Sequence, residues 1–143
     1  MKHPLDSKWT QTLGLFLARV PLGIYLLLDG YAKIQHGPVL FAFEHLGSFQ
    51  KYFPFWVAAG FLVLLPFVEL AAGAFLALGL FSRTGAFLAS FILLSIMLAF
   101  TGFHGLNGAP FNPLLILLGL AVMLGFAGSG ALSIDRLVWR KRR

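Results

Sequence analysis

TLGLFLARVPLGIYLLLDGYAK, residues Thr12 to Lys33, is an apolar run with an arginine set inside it and an aspartate and a lysine near its far end. At ~1.5 Å per residue the positions from Thr12 to Tyr31 make a helix of ~30 Å, which matches the hydrocarbon thickness of a bilayer. The stretch therefore predicts a membrane span. Arg19, Gly23, Leu26, Gly30 and Lys33 follow one another at steps of four, three, four and three, so on a helix they share one narrow stripe. A cation at membrane depth is costly and faces protein, with a carboxylate as its natural partner. The rest of the chain has to supply that carboxylate.

Composition sets the class. Of the 143 residues, 59% are hydrophobic and 11% charged, too little polar surface to cover a soluble globule. The chain reads as a single integral membrane domain, 1–143. It has no cysteine, which excludes disulfides, Cys-ligated metal or iron-sulfur centres, and a thiol relay carried by this chain. The net charge of +6 would suggest nucleic acid in a soluble protein. Here the basic residues gather at span ends, where lipid head groups are the nearer partner, so no nucleic acid is expected. The N-terminal segment carries Lys2 and Lys8 like a signal peptide, but the run behind it is interrupted by Arg19 and shows no small-x-small cleavage site; it is expected to be retained.

Beyond Lys33 comes a polar break, then Val39 to Phe53, with Ala42, Leu46, Phe49 and Phe53 at helical steps, Pro38 suited to a first helical position and Pro54 as a stop. Fifteen residues are too few to span. An amphipathic helix at the interface is expected, a lid in the first extracytoplasmic loop with Glu44, His45 and Lys51 towards water. A second span, 55–81, carries Glu69 near its middle, with Ala72, Gly73 and Ala77 to admit a neighbouring helix. Counting rises from the inner ends, Arg19 lies ~10 Å deep and Glu69 ~15 to 18 Å deep, so the two are expected to form a buried polar pair that fixes helix register or lines a pocket. Pro66 removes a backbone hydrogen bond just before Glu69.

Ser82-Arg83-Thr84 reads as a short turn into a third span, 85–100. The glycine-rich TGFHGLNGAPFN, 101–112, contains His104 and Asn107, and Asn112-Pro113 is a suitable cap and first position for a fourth span, 113–128. The tail carries Arg136, Arg140, Lys141, Arg142 and Arg143, a juxtamembrane pattern for anionic lipid. With four spans, these five and Lys2, Lys8 and Arg83 lie on one side, against Lys33 and Lys51 on the other. By the positive-inside rule both termini are cytoplasmic.

The segments RVPLGIYLLLDGYAK, VELAAGAFLALGLFSRTGA and NPLLILLGLAVMLGFAGSGALSID, in that order, resemble the DoxX family of small four-helix integral membrane proteins. The matching positions are Arg19, Gly23, Gly30, Lys33, Glu69, Gly73, Arg83, Asn112 and Asp135. The resemblance implies an all-α four-helix bundle in a bacterial-type inner (cytoplasmic) membrane. It also implies, in some members, a subunit of a quinone-linked oxidoreductase, and in many members a role not assigned. The expectation for this chain is a membrane subunit of a redox system, with a redox partner subunit or a second copy of the chain as expected partners. Relatives in the wider superfamily resemble scaffolds, anchors or chaperones for a partner protein, which is the competing, noncatalytic reading.

For a ligand the sequence offers one place, the outer mouth, where Asp29, Lys33, His104 and Asn107 converge under the lid. Asp29 and Lys33 stand four apart on a helix and form an ordinary surface pair worth ~0.3 to 0.5 kcal/mol unless the lid buries them. No histidine falls in mid-span, which argues against haem held between two of them. No cofactor is expected to be covalently attached. A quinone needs an apolar slot and a few polar groups at its head, which these residues and the sixteen phenylalanines supply.

Overall fold

The computed structural model describes residues 8–100 and 112–128. Among these the chain is all-helical, with α1 Lys8–His36, α2 Pro38–Phe49, α3 Phe55–Leu78, α4 Ser82–Phe100 and α5 Leu114–Ala127. Three of them, α1, α3 and α4, are long and apolar enough to cross a membrane. The protein is accordingly an integral membrane protein. Helix α5 is apolar throughout but has 14 residues, and its start is fixed as the sequence suggested: the Leu114 N–H donates to Asn112 Oδ1 at 3.0 Å.

Helices α1, α3, α4 and α5 pack in a ring, each against the next and α5 back against α1, while α2 lies chiefly on α3. The tightest seam joins α1 to α3. A Cβ on Gly23 would stand 2.6 Å from the Ala77 nitrogen, one on Gly73 would stand 2.7 Å from the Gly23 carbonyl oxygen, and one on Gly30 2.7 Å from the Pro66 carbonyl oxygen. Backbone touches backbone at these positions, which only glycine allows. The contacts also give the antiparallel register, 23 beside 73–77 and 30 beside 66–70. The stripe read from the sequence is the buried face of α1: Arg19, Leu22 and Leu26 are almost wholly enclosed. Elsewhere large apolar side chains such as Leu17, Leu28, Leu64, Phe91 and Phe126 face outward, as lipid-facing surface does.

Two boundaries differ from the expected ones. Ser82-Arg83-Thr84 is the first turn of α4, not a connection; the reversal occurs at Gly79 to Phe81, where Gly79 (φ 73°) and Phe81 (φ 47°) are both left-handed. Gly79 closes α3 by donating its N–H to the Phe75 carbonyl at 3.0 Å, a left-handed C-cap. In α4, Ser90 and Ser95 donate their hydroxyls to the Ala86 and Phe91 carbonyls at 2.8 Å, so they are satisfied inside their own helix. The other difference is α2, which stops at Phe49. It buries Phe41, Ala42 and Phe49 but leaves Val39, Leu40 and Phe43 exposed, and Phe53, expected on its apolar face, is 47% exposed.

Candidate functional site

Lys33 is where the polar chemistry concentrates. It lies one turn before the end of α1, and its Nζ donates to Asp29 Oδ2 at 2.7 Å and to Glu69 Oε1 at 2.5 Å. Glu69 is fully enclosed, the Lys33 side chain is 13% exposed and that of Asp29 35%. Gly30 brings the two helices together here, since its missing Cβ would lie 3.0 Å from the Glu69 Cβ. From the other side α2 lays the Phe41 ring over the ammonium, 5.4 Å from Nζ to the centroid. The Asp29 and Lys33 pair is thus no ordinary surface pair. A third group, reached across the seam, makes it a cluster that α2 covers.

The expected partnership of Arg19 with Glu69 is corrected by this geometry. The Arg19 guanidinium lies against Gly79, whose missing Cβ would be 2.7 to 2.9 Å from Nη1, Cζ and Nη2, and 5.8 Å above the Phe16 ring. Gly79 is ten residues beyond Glu69 on α3, ~15 Å along the axis. Counting both helices from a common inner end fails because α1 runs past the end of α3: residue 19 stands level with 79, so Glu69 stands level with 29 and 30. The cation that reaches the glutamate is therefore Lys33. Arg19, 2% exposed, sits instead at the C-terminal end of α3, where the helix dipole favours positive charge.

Beside the cluster lies a cavity of about 250 Å³ lined by Tyr25, Asp29 and Lys33 of α1, Phe41 and His45 of α2, Leu65 of α3, Leu93 and Ile96 of α4 and Leu114 of α5. All five helices contribute. Its polar groups lie on α1 and α2, and the walls given by α3, α4 and α5 are wholly aliphatic. The volume falls a little below the ~300 to 1,000 Å³ of ordinary small-molecule sites, which suits a head group better than a whole drug-sized ligand.

Of the four expected ligand-binding residues, the structure brings Asp29 and Lys33 together on this cavity; His104 and Asn107 lie outside the described residues. His45, expected towards water, is turned inward instead. Its ring stacks on Phe41 with centroids 4.4 Å apart, and its Nδ1 donates to the Phe41 carbonyl at 2.9 Å, the carbonyl being able only to accept. Glu44 and Lys51 are exposed as expected. Glu44 Oε2 accepts from His36 Nε2 at 3.0 Å, tying α2 to the end of α1 across the left-handed Gly37, φ 100°. His45 and Tyr25 are the polar cavity residues not expected from the sequence. Positions 41, 42, 45 and 49 recur at helical steps, and that stripe places His45 on the covered face of α2. Tyr25 stands four residues before Asp29 on α1 and shares its side of the helix.

The arrangement supplies an ammonium and a phenol as donors, carboxylates as acceptors, an aromatic ring and an aliphatic wall. Such a site holds one polar end of a largely apolar molecule.

Comparison with known proteins finds two likenesses. The family model DoxX matches residues 14–102, the stretch that holds the whole α1 and α3 seam and the Lys33 cluster. The chain is also 31% identical over 137 residues to a protein of Escherichia coli (strain K12) described as "Inner membrane protein YqjF", covering 94% of this chain and 98% of that one. No solved structure matches.

Proposed function

This chain belongs to the DoxX family of membrane proteins, and from that premise we propose that it is the membrane subunit of a redox system, binding a quinone head group at the end of the bundle covered by α2. The observation that carries this reading is the cavity itself. It sets hydrogen-bond donors against an aliphatic wall, within helices whose outer surfaces are apolar. A quinone ring has two carbonyl oxygens that accept hydrogen bonds and two faces that prefer apolar contact. Lys33 Nζ and the Tyr25 hydroxyl are the donors for a carbonyl, Phe41 is the stacking surface, and Leu93, Ile96 and Leu114 contact the ring. With no cysteine in the chain, electrons reach the bound head group from a partner subunit.

In the same reading α5 and its flanking residues form a fourth span, and α2 lies at the extracytoplasmic interface. Both termini are cytoplasmic, because eight basic residues then lie on the inner side. The membrane is the inner membrane, as the name of the E. coli relative suggests.

The test is retention. The protein is purified in mild detergent, extracted with organic solvent and the extract chromatographed for quinone. Wild type is expected to carry quinone well above an unrelated membrane protein prepared in parallel, and Tyr25→Phe with Leu93→Trp, one removing a donor and the other filling the cavity, to carry less. Quinone at background in the wild type would overturn the reading. A stable partner protein co-purifying without quinone would move the assignment to the scaffold or chaperone reading.

A further inference from the structure

Two carboxylates and one ammonium meet in the Lys33 cluster, and their charges do not cancel. Fully ionised, Asp29, Glu69 and Lys33 carry a net charge of −1 in a place that excludes water from one of the three completely: Glu69 is 0% exposed. Such a charge is costly in a low-dielectric interior. The geometry shows where it would fall. Lys33 takes Glu69 Oε1, but among the described residues Glu69 Oε2 is buried and has no hydrogen-bond partner, so an ionised Glu69 leaves one oxygen bare there. Among the described residues, the other ionisable groups lining the cavity are Tyr25 of α1 and His45 of α2, while α3, α4 and α5 present Leu65, Leu93, Ile96 and Leu114 to it. His36 and Glu44 meet away from the cavity, half-exposed at the surface. Arg19 is a further ~15 Å along α1, ten residues from Asp29.

We infer that the cluster is a proton-binding site: it holds one proton, on the wholly enclosed Glu69 carboxyl beside Lys33, so that its resting charge is zero. Burial keeps this proton out of reach of bulk solvent. A ligand oxygen in the cavity then meets a carboxyl hydrogen or the Lys33 ammonium rather than a bare negative charge. The use of the proton rests on the quinone reading above; its presence does not, because it is measured on ligand-free protein.

Infrared spectroscopy counts protonated carboxyls directly, since their C=O stretch stands apart from that of carboxylates. The chain has five Asp and Glu residues in all, so the loss or gain of one is resolvable. At neutral pH the wild type is expected to show a protonated carboxyl that disappears in Asp29→Asn and also in Glu69→Gln, because either change leaves one carboxylate to one ammonium and no need for the proton. Lys33→Met removes the one counter-charge and is expected to keep the protonated carboxyl on Glu69. Protonated-carboxyl intensity unchanged from wild type in either the asparagine or the glutamine variant would overturn the inference, as would loss of the band in Lys33→Met. A missing band would leave quinone retention untouched, and missing quinone would leave the band untouched.

Discussion

The two ends of the α1 and α3 seam each place a cation of α1 against α3, and they do so in opposite ways. At one end the Arg19 guanidinium lies flat on the backbone of Gly79, where α3 finishes; the helix end and the missing side chain make a fitted seat for it. At the other end the Lys33 ammonium meets two carboxylates, one from its own helix and one from α3, beside an open cavity. Both cations are largely buried. Backbone close to a guanidinium fixes position, whereas surplus carboxylate next to empty space leaves chemistry unfinished.

The largest effect is expected from parting the helices between the two ends. Gly73→Leu puts a side chain where a Cβ alone would meet Gly23 and Leu27 atoms at 2.7 to 2.9 Å. The expected loss is about 3 kcal/mol or more, at the upper end for overpacking, read as a collapse of the thermal midpoint in detergent. Gly14→Ala, with nothing within 4 Å of the new atom, serves as control and is expected to gain about 0.5 to 1 kcal/mol from helix propensity. Equal behaviour of the two variants would contradict the seam.

A smaller effect is expected from Gly79→Ala, which touches the Arg19 end alone. The residue has φ 73° and its Cβ would press on the guanidinium. A loss of about 1 to 2 kcal/mol in thermal unfolding follows from left-handed strain plus the displaced side chain, with ligand retention at the far end unchanged once the protein is folded. Loss of retention without loss of stability would mean that the two ends are not independent. Least of all is expected from Glu44→Gln. It breaks a half-exposed link to His36 and should cost no more than about 0.5 kcal/mol. A large thermal shift here would show that α2 is held by this pair rather than by its buried Phe41, Ala42 and Phe49.

Much of this was legible in the sequence, and the part that was not has a physical reason. Arg19, Gly23, Leu26, Gly30 and Lys33 gave the buried face of α1 from spacing alone, because helical periodicity is local. Asn112 was legible as a cap for the same reason. The partner of Glu69 was not, since register between two helices depends on how far each overhangs the other, and α1 extends 29 residues against 24 for α3. Asp29 and Lys33 stood out as candidates, but their burial was not legible, since it is conferred by α2 and Phe41. The turn after α3 was misplaced because Ser82, a good helix starter, resembled loop chemistry, while the two left-handed residues before it carried the reversal. Along α2, polarity suggested that His45 faces water, but its hydrogen bond to the Phe41 carbonyl satisfies the ring on the covered side.

Lys33, and not Arg19, is the ion partner of Glu69. Two double-mutant cycles measured by thermal stability in the same detergent test it, one with Lys33→Met and Glu69→Gln, the other with Arg19→Met and Glu69→Gln. The first cycle is expected to show a coupling of at least about 1 kcal/mol, as residues in one hydrogen-bonded cluster do, and the second to be additive within about 0.5 kcal/mol across ~15 Å. Strong coupling in the arginine cycle with additivity in the lysine cycle would contradict the register from which the cluster, the cavity and the bound proton are derived.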